Sequence, residues 1–147
     1  MDTSFGGPGI ALSDDGNVLA LGSMYVDKDD IDAVGAVFVY RYDGVGSWNP
    51  EQTIYEDEPG RQHHFGHAVA LSGDQLVSTS FLHNDYQGAL WVFRYDGTSW
   101  IQESKLQGVN HKAQFGLTLV AGGGVVVAYE GTSDSKGAAY VGRLEAC

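Results

Sequence analysis

His63-His64-Phe65-Gly66-His67 places three imidazoles in one short segment. His63 and His67 stand at the spacing that puts two ligands on one face of a helix. The flanking residues predict a loop entering a strand, where that spacing gathers nothing, so a solvated or hydrogen-bonded loop histidine is the favoured reading and zinc is not assigned. An Asp stands three residues before a Gly-Ala pair at Asp32, Asp85 and Asp134, and the first closes the acidic run Asp27-Lys28-Asp29-Asp30-Ile31-Asp32. Equivalent loop carboxylates on one face are candidate ligands for a cation or for sugar hydroxyls. The competing and favoured reading is that each caps its own turn through an Asx hydrogen bond. Trp48 and Trp100 are candidate stacking surfaces for a sugar ring, with packing at sheet edges as the favoured alternative. No Gly-x-Ser-x-Gly elbow, phosphate loop or His-Glu-x-x-His is present, and no carboxylate pair is marked out for acid/base work, so no catalytic residue is assigned and a non-enzyme is expected.

Those residues must be positioned by a chain of 147 residues with 21 Gly but only 3 Pro, 43% apolar and carrying 6 Phe, 8 Tyr and 3 Trp. Glycine is about twice its usual share of about 7%, yet the apolar content rules out a linker or collagen-like chain. Many turns between short packed segments follow, within one domain. The charge is −11, from 8 basic and 19 acidic residues, with no basic cluster, which argues against nucleic acid and anionic membrane partners. Cys147, the single cysteine and the last residue, leaves no intrachain disulfide, only a free thiol or a bridge between chains. No apolar run approaches the ~18 residues of a membrane span. Met1 is followed by Asp2-Thr3-Ser4-Phe5-Gly6 rather than by a basic and then apolar leader, so the expectation is an intracellular chain or one whose leader is missing.

A repeat organises the whole sequence. Phe-Gly recurs at Phe5-Gly6, Phe65-Gly66 and Phe115-Gly116, at a spacing of roughly 50 to 60 residues. Each copy continues with an apolar stretch, a Gly/Asp/Asn turn and a second apolar stretch. A polar loop then leads to a strand opened by Gly35-Ala36, Gly88-Ala89 or Gly137-Ala138. That third strand is apolar on both faces: Ala36, Phe38 and Tyr40 on one and Val37 and Val39 on the other, with the same assignment in the other copies. A strand covered on both sides belongs to a sheet sandwiched between two others. Arg41, Arg94 and Arg143 recur at one register near its end, for which structural pairing with carboxylates or carbonyls is favoured over ligand contact. In the first two copies Arg-Tyr-Asp-Gly then turns the chain into a fourth strand beginning at Trp48 or Trp100; the third copy stops at Leu144-Glu145-Ala146-Cys147. The expected fold is all-β: propeller blades of four antiparallel strands, about three in number (4, 4 and 3 strands), within a single domain 1–147. Blade 1 spans about 5–64, blade 2 about 65–114 and blade 3 about 115–147, which lacks its fourth strand.

The run from Phe65-Gly66 through Val69-Ala70-Leu71-Ser72-Gly73-Asp74 and Gly88-Ala89-Leu90-Trp91-Val92-Phe93-Arg94-Tyr95-Asp96-Gly97 to Trp100 resembles the FG-GAP repeats of integrin α-subunits and of many secreted microbial and algal proteins. The resemblance covers nearly the whole chain. Its Gly-Ala-Pro element is replaced by Gly22-Ser23-Met24, Ser78-Thr79-Ser80 and Ala128-Tyr129-Glu130. The resemblance implies a β-propeller, an extracellular or cell-surface setting, adhesion-type protein binding and, in some members, Ca²⁺ in an acidic loop between strands one and two. Here that loop is Ser13-Asp14-Asp15-Gly16-Asn17, Ser72-Gly73-Asp74-Gln75 or a glycine run, too poor in carboxylates for the about six or more oxygen ligands Ca²⁺ takes. Ca²⁺ therefore stays only with Asp32, Asp85 and Asp134, and no other cofactor is expected.

Closed propellers take about 4–8 blades, so three cannot close a ring. A two-fold homo-oligomer giving six blades, another propeller-completing chain, or a longer gene product would each cover the exposed end faces. The expected function is a non-catalytic module binding protein or glycan through loops on one propeller face. The alternatives are a carbohydrate-active enzyme or accessory propeller, and a purely structural subunit of an assembly.

Overall fold

Short apolar segments punctuated by Gly, Asp and Asn cannot build helices of useful length, and their two-residue alternation suits a pleated surface. The computed structural model describes residues 9–109, 112–131 and 137–144. Its content is 55% strand and 3% helix, in antiparallel sheets of four, four and three strands, none closed into a barrel. Blade 1 holds β1 (Ile10–Leu12), β2 (Val18–Ser23), β3 (Ala36–Tyr42) and β4 (Trp48–Ile54) in that spatial order. Blade 2 repeats it with β5 (Val69–Ser72), β6 (Gln75–Ser80), β7 (Ala89–Tyr95) and β8 (Trp100–Gln107). Blade 3 has β9 (Thr118–Gly122), β10 (Val125–Glu130) and β11 (Ala138–Arg143), with β11 as an edge. The one helical stretch among the described residues, His83–Tyr86, is a single turn whose Asn84, Asp85 and Tyr86 adopt φ of +50°, +57° and +66°. It is a left-handed turn, a local conformation that no hydrophobic periodicity announces.

The turns follow the Asp-Gly signals. Asp43 Oδ1 accepts the backbone N–H groups of Val45, Gly46 and Ser47 at 2.8–3.0 Å, and Asp96 Oδ1 accepts those of Thr98 and Ser99 at 2.8 Å. These bonds hold both carboxyls below their ordinary range. Asp15 does the same in the first hairpin, accepting from the Ser13 hydroxyl and from the backbone and side-chain nitrogens of Asn17.

The blades stack face to face around two apolar layers. Val18, Ala20, Val37, Val39 and Ile54 of blade 1 meet Val69, Leu71, Leu76, Trp91 and Phe93 of blade 2. The opposite face of blade 2, with Ala70, Val77, Leu90 and Val92, meets Leu119, Val126 and Ala128 of blade 3. Blade 2 is thus buried on both faces, the environment that the doubly apolar third strand predicts.

The Phe-Gly repeat has one mechanical role in both described copies. Phe65 N–H donates to the Val34 carbonyl at 2.9 Å and Phe115 N–H to that of Gln87 at 3.0 Å, so each Phe-Gly forms a parallel bridge to the Gly that opens the preceding blade's third strand. The following glycine turns the chain back: Gly66 and Gly116, at φ +84° and +87°, donate to Thr79 and Tyr129 of their own blade. The phenyl ring packs edge-on against the third-strand aromatic of its own blade, Phe65 on Trp91 at 5.3 Å and Phe115 on Tyr140 at 5.2 Å. This close approach requires glycine at Gly35 and Gly88, where an added Cβ would fall 2.0 and 2.2 Å from the carbonyl oxygens of Phe65 and Phe115. Phe5 and Gly6 lie outside the described residues.

Gly35→Ala therefore combines left-handed strain of about 1–2 kcal/mol with a displacement of the blade seam of about 1–3 kcal/mol. Gly44, at φ +81° with open space around it, carries the strain alone. Urea denaturation is expected to show Gly35→Ala clearly less stable than Gly44→Ala; equal losses would mean that the close approach contributes nothing.

Candidate functional site

Arg41 and Arg94 are placed by matching irregularities of the sheet. Between Val39 and Tyr40 the β3–β4 register skips Glu51, and between Val92 and Phe93 the β7–β8 register skips Glu103. A bulge re-aims the extra side chain, and here it aims a carboxylate at the repeated arginine. Arg41 forks onto Glu51 through Nε and Nη2, and Arg94 binds Glu103 through Nε at 3.0 Å and Asp74 through Nη1 at 2.9 Å. Arg41 also lies 4.6 Å from the centre of the Tyr95 ring of the next blade. Arg143 sits at the same register of β11 and is exposed, and among the described residues blade 3 has no fourth strand to carry a glutamate. The two glutamates escape a reading by alternation because a bulge breaks the period; the signal is a Glu three residues after each strand-opening Trp.

Of the two tryptophans, Trp48 is 39% exposed and leans on Tyr42, whereas Trp100 is only 4% exposed. Trp100 closes the seam between blades 1 and 2: its Nε1–H donates to Glu51 at 2.8 Å and its backbone exchanges two hydrogen bonds with the Gln52 amide. Burial removes Trp100 as a ligand-stacking candidate, because its faces are already packed against Tyr95 and the core.

The longer loops join the strands at one end of the blades, since the registers bring Ser23, Ala36 and Ile54 of blade 1 together there, as they do Ser80, Ala89 and Gln107 of blade 2. At this end Asp32 pairs with Arg61 at 2.6 Å, both side chains being more than half exposed. In the same loop Asp27 Oδ1 accepts the Ala33 N–H at 2.8 Å, a side-chain bond that spans the loop rather than an Asx turn. Asp85 lies in the left-handed turn of blade 2. Among the described residues neither Asp32 nor Asp85 belongs to a converging group of three or more His, Cys, Asp or Glu side chains, and Asp134 and Cys147 lie outside the described residues. Gly137 stands beside the Tyr129 hydroxyl at the base of β11.

The histidine segment is divided by its loop. His67 bridges blades, with Nδ1 3.0 Å from Met24 Sδ and Nε2–H donating to the Leu117 carbonyl at 3.1 Å. Burial lowers its pKa and that of His64, which packs against Tyr25 and Phe81. His63 turns the other way, into a set that its neighbours along the chain do not reveal. Its Nδ1 lies 2.9 Å from Glu56 Oε1; His83 Nδ1 lies 2.9 Å from Glu56 Oε2; and the two imidazole nitrogens are 3.2 Å apart. Glu56 is wholly enclosed, His83 nearly so, and His63 keeps 20% of its side chain exposed. Among the described residues this is the one group of three His, Cys, Asp or Glu side chains whose ligand atoms converge.

Each member is held from outside. The Ser80 hydroxyl donates to the His63 carbonyl, and Gly60 lies so close beneath the ring that a Cβ there would fall 2.3 Å from His63 Nε2. His83 stacks edge-on against Trp91 at 5.1 Å, and the indole Nε1–H of Trp91 donates to Asp57 at 2.8 Å. Asp57 also receives Gln102 and Lys105. Burial pushes its carboxyl up, but the Trp91, Gln102 and Lys105 interactions outweigh this and lower it to about 2. A groove of about 260 Å³ lined by Glu58, His63, His83, Asn84 and Gln107 opens onto the set. His63 and His83 are 20 residues apart and Glu56 precedes His63 by 7, so only the fold makes this constellation.

No known family model matches the chain, and no curated protein matches it. The fold itself defines its class: an incomplete three-blade arrangement of antiparallel sheets. No helix among the described residues is long and apolar enough to cross a membrane.

The depressed Asp57 pKa stabilises the fold above the ordinary carboxylate range near 3.8, and that contribution is lost as pH falls through about 2. The shift corresponds to about 2 kcal/mol, reduced to about 1 kcal/mol by solvent screening because Asp57 is 38% exposed. Urea midpoints of wild type and Asp57→Asn should differ by that amount near neutrality and converge as pH falls toward 2. A pH-independent difference would mean that the carboxylate charge plays no part.

Proposed function

We propose that the chain is a non-catalytic β-propeller interaction module of the FG-GAP kind, two copies of which close one ring and present their loop ends to a protein or glycan. The observation that carries this reading is the nature of the two end faces. On the free side of blade 1 the paired residues Ile10 and Leu21, Leu12 and Leu19, and Leu21 and Phe38 form a contiguous apolar surface, with Ile10 68% and Leu12 56% exposed. It corresponds by register to the Leu76, Trp91 and Phe93 face that blade 2 lays against blade 1. On the free side of blade 3, Val127 stands opposite Val120 and Val141, corresponding to the Val77 and Val92 face that blade 2 lays against blade 3.

The two ends are therefore complementary in the same sense as adjacent blades within the chain. Two copies joined head to tail across both seams give six blades around a two-fold axis and cover both apolar end faces. The loop end, with the Asp32–Arg61 pair and the exposed Asn84–Tyr86 turn, supplies the varied polar side chains that such modules use for recognition. The terminal blades supply scaffold rather than reactive groups, which supports binding over catalysis.

Light scattering is expected to give a mass about twice 15.7 kDa, falling to the monomer value for Leu21→Arg with the strand circular dichroism retained. A monodisperse wild-type monomer would overturn the ring. A glycan array and a pull-down then read the loop end: retention of a ligand without turnover supports the module, and hydrolysis of a bound glycan would replace it with an enzyme.

A further inference from the structure

The Glu56, His63 and His83 set has the dimensions of a metal site. Zn–N bonds of about 2.0–2.1 Å at tetrahedral angles separate neighbouring donor atoms by about 3.3 Å; the three separations here are 2.9, 2.9 and 3.2 Å. The nitrogen-to-nitrogen distance is the informative one. With Glu56 ionised, hydrogen bonding to it requires both imidazoles to carry the proton on Nδ1, which leaves two N–H groups side by side with no bond between them. A cation between them uses both Nδ1 lone pairs, with each ring in its Nε2–H tautomer.

Charge points the same way independently. Glu56 is completely enclosed, and its ion-pairing partners among the described residues are the two imidazoles alone. The cations nearby are engaged elsewhere, Lys105 with Asp57 and Glu58 and Arg61 with Asp32. A carboxylate taken out of water without Lys or Arg calls for positive charge from another source, and metal coordination is one of the few that fit such a space.

We propose that His63 Nδ1, His83 Nδ1 and the Glu56 carboxylate bind a divalent transition metal ion of the zinc type. Two imidazoles and one carboxylate suit Zn²⁺ and its neighbours rather than Ca²⁺, which takes six to eight oxygens. Three protein donors leave a fourth position, and it faces the groove lined by Glu58, Asn84 and Gln107, where water or a ligand group completes the shell. Glu56 and His63 belong to the connection between blades 1 and 2, and His83 to the β6–β7 loop of blade 2. The ion ties that connection to the second blade at the loop end. Gly60 positions one ligand, since its missing side chain leaves the space that the His63 ring occupies.

The test is calorimetric titration of ZnCl₂ into the untagged full chain after chelator treatment, with Co²⁺ absorption as a second readout of tetrahedral donors. Wild type is expected to take up one equivalent at this site and to melt at a higher temperature with zinc. His63→Gln, at the most exposed ligand and so the least disruptive to folding, should bind about tenfold or more weakly. Gly60→Ala should weaken binding although all three ligands remain, by the about 10–100-fold typical when a ligand loses its support. His67→Gln should leave the affinity unchanged, with circular dichroism confirming that each variant is folded. Wild type that takes up no stoichiometric zinc, or folded His63→Gln that binds as wild type does, would overturn the proposal. So would a His67→Gln loss as large as that of His63→Gln.

Discussion

The constraint on which the rest of the structure depends is the contact of one blade's Phe-Gly with the glycine that opens the previous blade's third strand. At Gly35 and Gly88 backbone meets backbone at a distance that excludes even a methyl group, while the backbone N–H groups of Phe65 and Phe115 are satisfied by the preceding blade. The contact fixes both the separation of neighbouring sheets and the direction in which the chain enters the next one. Buried backbone polar groups must find partners, and at these two positions they find them across the seam. The phenyl rings then fill the space above their own third strands, and the apolar layers follow from the stacking.

From that stacking comes the division of labour between the two ends of the blades. Tight Asp-capped turns close one end, with Asp43 and Asp96 consuming the free backbone donors locally. The longer connections at the other end carry the residues with chemistry to offer. The connection between blades 1 and 2 is pinned on one side by Asp57 to Trp91 and Lys105 and on the other by the backbone N–H groups of His64 and Phe65, which donate to the Ala33 and Val34 carbonyls. Glu56 and His63 are therefore held on a segment fastened at both ends, which is how a loop comes to present side chains with the precision of a sheet. The left-handed turn after His83 belongs to the same end, and strained backbone of this kind persists only where its surroundings over-determine it.

Most of the fold was legible along the chain because strands and turns are written locally. Alternation assigned both faces of the third strand, Asp-Gly and Gly-rich turns placed the hairpins, and the spacing of Phe-Gly marked the blades. Less was legible where a single irregularity changes the outcome. The bulges that skip Glu51 and Glu103 break the two-residue period, so the partners of Arg41 and Arg94 cannot be found by counting faces. Trp48 and Trp100 begin equivalent strands, yet one is exposed and the other is clamped between blades, because only Trp100 has a preceding blade beside it. Position in the stack decided that difference.

By itself the sequence determined the repeats and the succession of strands within each, since both are encoded within one repeat and repeated. Only the tertiary structure decided which titratable groups meet. His63 and His67 are neighbours in sequence and face different blades, whereas His63 and His83 are far apart and converge on Glu56. The physical reason is that side-chain direction in a loop is set by backbone angles and by what packs behind it, here Gly60, Ser80 and Trp91. These come from different segments that come together only when the blades stack.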